Sequence, residues 1–134
     1  MKNDYFVIVW AVPPTKHDGG SGWIMVKHKE RGWELPGGLV KNGEEEDEAA
    51  LREFFEEVGL LGIAKSLDRG LVEGGCVVLV EVNEDPSPVS WKSSDDSIEE
   101  VGWCLDIPEG SSWGKEEIRA ISSHDWRTSI TLGS

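Results

Sequence analysis

The sequence predicts a mixed α/β domain of the α+β kind, because its strands and helices do not alternate as a doubly wound fold requires. Three observations carry this. Runs of β-branched, aliphatic and aromatic residues recur, notably YFVIVWAV at 5–12 and CVVLVEV at 76–82. An acid-rich stretch at 45–58 repeats its apolar residues at helical spacing. Between later strand-like runs lies DPSPVSWKSSDDS at 85–97, a polar segment rich in Pro and Ser. The 134 residues show one composition regime and no internal repeat, so a single domain, 1–134, is expected.

The first run is a buried strand that Pro13 and Pro14 stop. TKHDGGSG at 15–22 reads as a turn, WIMVKHK at 23–29 as a second strand, and Arg31-Gly32 as the turn after it. WELPGG at 33–38 gives a short strand broken by Pro36 and two glycines. The acidic helix follows from Glu45 to Val58, and Gly59 is placed to end it. A strand and turn fit 62–75, strands fit 76–82 and 98–107, and SSWGKEEIRAIS at 111–122 reads as a helix with a Ser N-cap. The tail from Ser123 takes no assignment.

Hydrophobic residues make up 38% and charged residues 29%, an ordinary soluble composition. The net charge of −13 repels phosphate backbones and anionic lipid, which argues against a nucleic-acid duplex or a membrane as partner. A small polyphosphate stays compatible, since bound divalent cations reverse the local field. The opening apolar run is too short to span a bilayer, and Cys76 and Cys104 sit singly in strand-like runs; both point to a reduced, cytoplasmic setting. His17, His28 and His124 are too scattered for a zinc site.

The acidic helix holds the chemistry. With Glu53 at zero on a helical wheel, Glu56 and Glu57 fall about 60° and 40° to either side. Leu51, Phe54, Phe55 and Val58 gather roughly opposite, as an apolar face that would fasten the helix to a sheet. Three carboxylates so close repel unless a cation compensates, and hard oxygen ligands suit Mg²⁺ or Mn²⁺. On helical spacing alone a solvated face explains them better. Gly37 and Gly38 in front change that balance, because they leave backbone carbonyls open to a ligand.

Gly38, Glu44, Arg52, Glu53, Phe54, Glu56, Glu57, Gly59 and Leu60 match, position for position, the signature of the Nudix hydrolases, which this chain resembles. The resemblance implies an α/β/α sandwich with a mixed sheet and a loop–helix catalytic motif. It also implies metal-dependent hydrolysis of a diphosphate bond. Under it, Glu56 and Glu57 ligate Mg²⁺ or Mn²⁺, and Glu53 is a further ligand or the base that activates water. The Gly37 or Gly38 carbonyl adds a ligand, Arg52 orients the glutamates, and Glu44 pairs with Arg52 or supports the metal from outside.

Two departures matter. Lys41 stands where family members often carry an acid. The distal carboxylate that many members supply ahead of a tryptophan falls, counted back from Trp103, near Ser97, so Asp95, Asp96, Glu99 and Glu100 are all candidates. On a strand, Glu99 and Glu100 point to opposite faces.

The subfamily marks are mostly negative. No proline lies between Leu60 and Asp85, and Tyr5 is the only tyrosine, so the ADP-ribose and dinucleoside polyphosphate patterns are missing. A nucleotide substrate, a (d)NTP or a modified nucleotide, is left by elimination. ADP-ribose, a dinucleoside polyphosphate, or a non-catalytic nucleotide-sensing module are the alternatives, and a homodimer stays open. Trp10, Trp23, Trp33 and Trp103 are expected in the core, with Trp91 and Trp113 beside loops. Lys27, Lys29 and Arg31 either reach phosphates from a strand end or protect an edge strand.

Overall fold

Eight strands and two helices make up the computed structural model, which describes residues 5–14, 22–109 and 114–132. The order is β1 (Phe6–Val12), β2 (Trp23–His28), β3 (Gly32–Glu34), β4 (Gly37–Leu39), α1 (Glu46–Val58), β5 (Ile63–Asp68) and β6 (Gly75–Glu81). Then come β7 (Ile98–Cys104), α2 (Lys115–Ser122), one 3-10 turn (Trp126–Thr128) and β8 (Ile130–Thr131). The strands divide between two sheets rather than one. A five-stranded sheet runs β4-β1-β6-β5-β8, and a three-stranded sheet runs β3-β2-β7. The pairing of β1 with β6 is parallel and the others are antiparallel, so the larger sheet is mixed.

Alternation along β1 explains the layers. Val7, Val9 and Ala11 enter one core with Ala49, Ala50, Phe54 and Val58 of α1. Ile8 and Trp10 enter a second core with Ile118 and Ile121 of α2. Successive side chains of a strand face opposite sides, so the two helices cover opposite faces of the sheet. This is the expected α/β/α arrangement. No helix among the described residues is long and apolar enough to cross a membrane.

Helix α1 ends where its glycine predicts: Gly59 has φ 85°, and its N–H donates to the Phe55 carbonyl. At its start the Glu48 side chain accepts from the Glu45 N–H at 2.8 Å, and three acids in the first turn favour the helix dipole.

The apolar face of α1 differs from the expected one. Its buried residues are Ala49, Ala50, Phe54 and Val58, whereas Phe55 is 53% exposed. The two alanines move the packed arc round, to lie about 40° on one side of Glu53 and about 60° on the other. Glu53 and Glu57 therefore sit inside the packed face, half-buried, not across from it.

Other expectations are adjusted more simply. The N-cap of α2 is Gly114, and the expected Ser caps, the 15–21 turn and Trp113 lie outside the described residues. Strand β2 pairs on both sides and is no edge strand; Lys27 meets Glu99 at 3.6 Å across to β7. Trp10 and Trp23 are buried and stacked 5.1 Å apart, and both cysteines are free.

Candidate active site: a glutamate helix against a glycine strand

The site forms where α1 crosses β4. Strand β4 is GGL, and its short antiparallel pairing with β1 puts Val7 opposite Gly38 and Ile8 opposite Gly37. A side chain at Gly37 would overlap the Val7 carbonyl. At Gly38 it would overlap the Glu53 carboxylate, so the missing Cβ is the space that Glu53 occupies. Glu57, one helical turn on, accepts the Gly37 N–H at 3.1 Å. The strand and the helix thus meet through carboxylates and backbone, without an apolar layer between them.

Arg52 organises the rest. Its Nε and Nη2 donate to the two oxygens of Glu44 at 2.6 and 3.0 Å, a bidentate pair. Nη2 also donates to the Leu39 carbonyl at 3.1 Å, tying the helix to β4. Nη1 reaches Glu53 at 3.1 Å and Glu56 at 3.4 Å. Glu44 and Glu53 are largely covered, but the Glu56 side chain is 51% exposed. One guanidinium therefore serves three carboxylates.

The carboxylates feel this unevenly. The Arg52 hydrogen bonds hold Glu44 down to about 2. Burial raises Glu53, against the pull of Arg52. Burial also pushes Glu57 up to about 8; the Gly37 N–H opposes this, while the charges of Glu53, Asp95 and Glu34 add to it. Arg52 itself is raised, chiefly by its hydrogen bonds to Glu44.

Of the four candidate distal carboxylates, Asp95 exerts one of the largest charge effects on Glu57. Its oxygen Oδ1 accepts the Ser97 N–H at 2.9 Å and the Ser97 hydroxyl at 2.7 Å, which lower its pKa. Glu99 is taken by Lys27, and Asp96 is exposed. Glu100 is half-buried on β7.

One residue escaped sequence reasoning. Glu34, at the end of β3, adds its charge to Glu57 and lines a cavity of about 350 Å³ with Phe6, Ile8, Leu35, Gly38 and Leu39. Arg31 clamps Glu34 from the β2–β3 turn, at 3.0 and 2.9 Å. The sequence signal for Glu34 was its place in WELPGG, three residues before the glycine pair. Neither that cavity nor a larger one of about 670 Å³, between Trp10, Trp23, Lys115 and Arg119, is lined by a box glutamate, but the smaller one is lined by Gly37 and Gly38.

The donor set fits a hard divalent cation by type: carboxylate oxygens of Glu53, Glu56 and Glu57 beside a glycine strand whose missing Cβ atoms let the helix carboxylates lie against its backbone. Among the described residues no three such side chains stand close enough together to hold an ion as they are. Arg52 lies between Glu53 and Glu56, so a bound cation would share or take over those oxygens.

Residues 6–105 match the sequence profile of the NUDIX domain. The chain belongs to the Nudix family. Nudix hydrolases generally use divalent metal ions. Among curated proteins, YtkD of Bacillus subtilis (strain 168), provisionally called an 8-oxo-dGTP diphosphatase, is 50% identical over 40 residues. That stretch is 30% of this chain and 25% of YtkD, so the match spans about a quarter of that relative's length. Among solved structures, a mutant of the Bacillus subtilis pyrophosphohydrolase BsRppH aligns with a TM-score of 0.59 and 24% identity. The alignment covers 89% of this chain and 78% of that one. A UDP-X diphosphatase aligns with a TM-score of 0.64 and 19% identity, over 90% of this chain and 62% of the other. At these identities the two structures establish the Nudix fold.

Proposed function

We propose that this Nudix chain hydrolyses a diphosphate bond in a nucleoside diphosphate-linked substrate, a (d)NTP or modified nucleotide, with Mg²⁺ or Mn²⁺. The observation that carries the reading is the Glu57 carboxyl, half-buried on the Gly37 N–H and raised by the charges of further acids, while Gly37 itself lines the Glu34 cavity. Burying carboxylates together costs stability unless something positive joins them. The divalent cation that accompanies a diphosphate substrate would bring that charge.

Glu53, Glu56, Glu57 and the carbonyl of Gly37 or Gly38 would hold the cation. When bound, it neutralises charge on the diphosphate and lowers the pKa of water. The chain's own groups supply the rest. Arg52, anchored by Glu44 and the Leu39 carbonyl, fixes the Glu53 and Glu56 carboxylates in direction. Glu53, raised by burial, is the group suited to accept the proton of the attacking water. Arg31 stands at the turn beside Glu34, where its guanidinium can trade that partner for a substrate phosphate. The 350 Å³ cavity, walled by Phe6, Ile8, Leu35 and Leu39, has the apolar lining that a nucleobase takes. The relatives' names support the reaction class: an 8-oxo-dGTP diphosphatase, a pyrophosphohydrolase and a UDP-X diphosphatase.

The test is a panel of (d)NTPs, modified nucleotides, ADP-ribose and dinucleoside polyphosphates, read by product identity with and without Mg²⁺. Turnover that requires the metal and is abolished in Glu56→Gln is expected. Turnover of none of them, or full activity in Glu56→Gln, would remove the proposal. Tight nucleotide binding without turnover would make the chain a sensing module.

A further inference from the structure

Arg31, Arg52, Arg69 and Arg127 each hold a carboxylate, at 2.6 to 2.9 Å. Arg119, the remaining arginine, holds none among the described residues, and neither does Lys115, one helical turn before it on α2. In a chain with 26 acids and 13 basic residues, two neighbouring cations without an acid are out of character.

Both line the cavity of about 670 Å³ on the α2 side of the sheet. Its apolar wall is Trp10 of β1 and Trp23 of β2, whose rings stack 5.1 Å apart, with Val12 and Ile118 beside them. On a helical wheel Lys115, Ile118, Arg119 and Ser122 share an arc of about 100°, and Glu116 and Glu117 fall outside it. The cations of α2 therefore border the cavity, whereas its acids do not. Asp106 also lines the cavity, and it pairs with neither cation. The smaller cavity has the opposite sign, since Glu34 is the charged group among its lining residues.

A cavity of this volume lies within the range of small-molecule sites, about 300–1,000 Å³. Two cations on one helix face suit a phosphate group, which takes charge-assisted hydrogen bonds from both. The apolar wall suits a flat ring. Asp106 can accept N–H groups, which a nucleobase offers and a fatty acid lacks. We propose that this cavity is a second ligand site, for a nucleoside monophosphate, with its phosphate on Lys115 and Arg119 and its base against the tryptophan wall. The site uses no box glutamate and requires no divalent cation, so it stands independently of the diphosphate reading. The reaction proposed above releases a ligand of this class.

The experiment is calorimetry on the full chain in EDTA, where a cation-dependent site is silent. AMP, GMP and CMP are the probes, with inorganic phosphate and octanoate as controls. The nucleotides are expected to bind, and both controls to bind clearly more weakly. Arg119→Gln and Lys115→Gln should each weaken the nucleotides by about 10–100-fold, and Glu56→Gln should not. Both cations are exposed, so their variants should keep the wild-type Tm. No binding at millimolar nucleotide, undiminished binding in the Lys115→Gln, Arg119→Gln double variant, or loss in Glu56→Gln would overturn the site. A control that binds as tightly as the nucleotides would overturn its ligand class. Wild type gives a second measurement: the assigned Trp23 indole N–H resonance is expected to shift on saturation with AMP, and one that stays put overturns the proposal.

Discussion

Helix α1 carries two glutamate–arginine clusters that differ in one respect, their balance of charge. Near its start, Glu46 accepts both Arg69 donors, at 2.9 and 2.7 Å, and the Tyr5 hydroxyl as well. One anion meets one cation, and the cluster fastens the helix to the ends of β1 and β5. A turn and a half later, Arg52 alone serves Glu44, Glu53 and Glu56, and Glu57 beyond it has the Gly37 N–H as its hydrogen-bond donor. The same residue types thus make a closed pair in one place and an acid excess in the other. A closed pair needs nothing further. An acid excess in a half-buried setting is a standing cost that a bound cation would offset, and this is what separates a site from a clasp.

The sharpest way to break the comparison is to neutralise one glutamate in each cluster. Glu57→Gln is expected to lower kcat by about 10²–10³-fold. In EDTA near pH 7.5 the same variant should be stabilised by about 1–2 kcal/mol, because it removes a carboxyl whose ionisation is disfavoured in the fold. Glu46→Gln should do the reverse, with a lower Tm and near-normal kcat. Turnover assays and thermal melts on both variants check this; equal behaviour would erase the distinction.

The glycine pair gives the next largest contrast. A Cβ at Gly37 meets backbone, the Val7 carbonyl, whereas one at Gly38 meets the end of the Glu53 side chain. Gly37→Ala should therefore cost about 2–3 kcal/mol in a denaturant titration. Gly38→Ala should cost less and show instead as weaker Mg²⁺ activation, as Glu53 is pushed aside.

The pH dependence sharpens the same point. The unfolded Glu57 ionises near 4.5, but the folded one only near 8. As pH rises between those values the unfolded chain sheds a proton that the fold retains, so stability should fall across this window in EDTA. Glu44, held down to about 2, works oppositely: its contribution is complete above 4.5 and is lost as pH falls toward 2. Urea titrations from pH 2 to 9, with Glu57→Gln as control, should show the upper slope flatten in the variant. The smallest expected effect is that of Phe55→Ser. Half-exposed, Phe55 should change stability by under about 0.5 kcal/mol, whereas Phe54→Ala should cost about 3–5 kcal/mol.

Much of this was legible in the residues themselves. The α1 boundaries, its glycine stop and the long strands at 6–12 and 75–81 follow from local signals that act over a few residues. The Arg52–Glu44 pair also stands where the signature implies. The misreading of the helix face came from counting only large apolar residues as core. Ala49 and Ala50 are small, but they let the helix approach closely, and that approach buries Glu53 and Glu57. The tail was unassigned because β8 is two residues long and depends on pairing with β5. Asp95 could not be chosen over Asp96, Glu99 and Glu100, since nothing local in the chain states which carboxylate a distant helix will feel.

By itself the sequence determined the family and the mixed α/β class, and it marked the set of acids proposed to carry the chemistry. These are written in spacing along one segment, and spacing survives without a fold. The tertiary structure alone decided which acids are buried, which share a cation and which face one another. Those depend on β4 lying under α1 and on Arg52 having one guanidinium for three partners. Burial and electrostatics are properties of distance through space, and only the folded chain sets those distances.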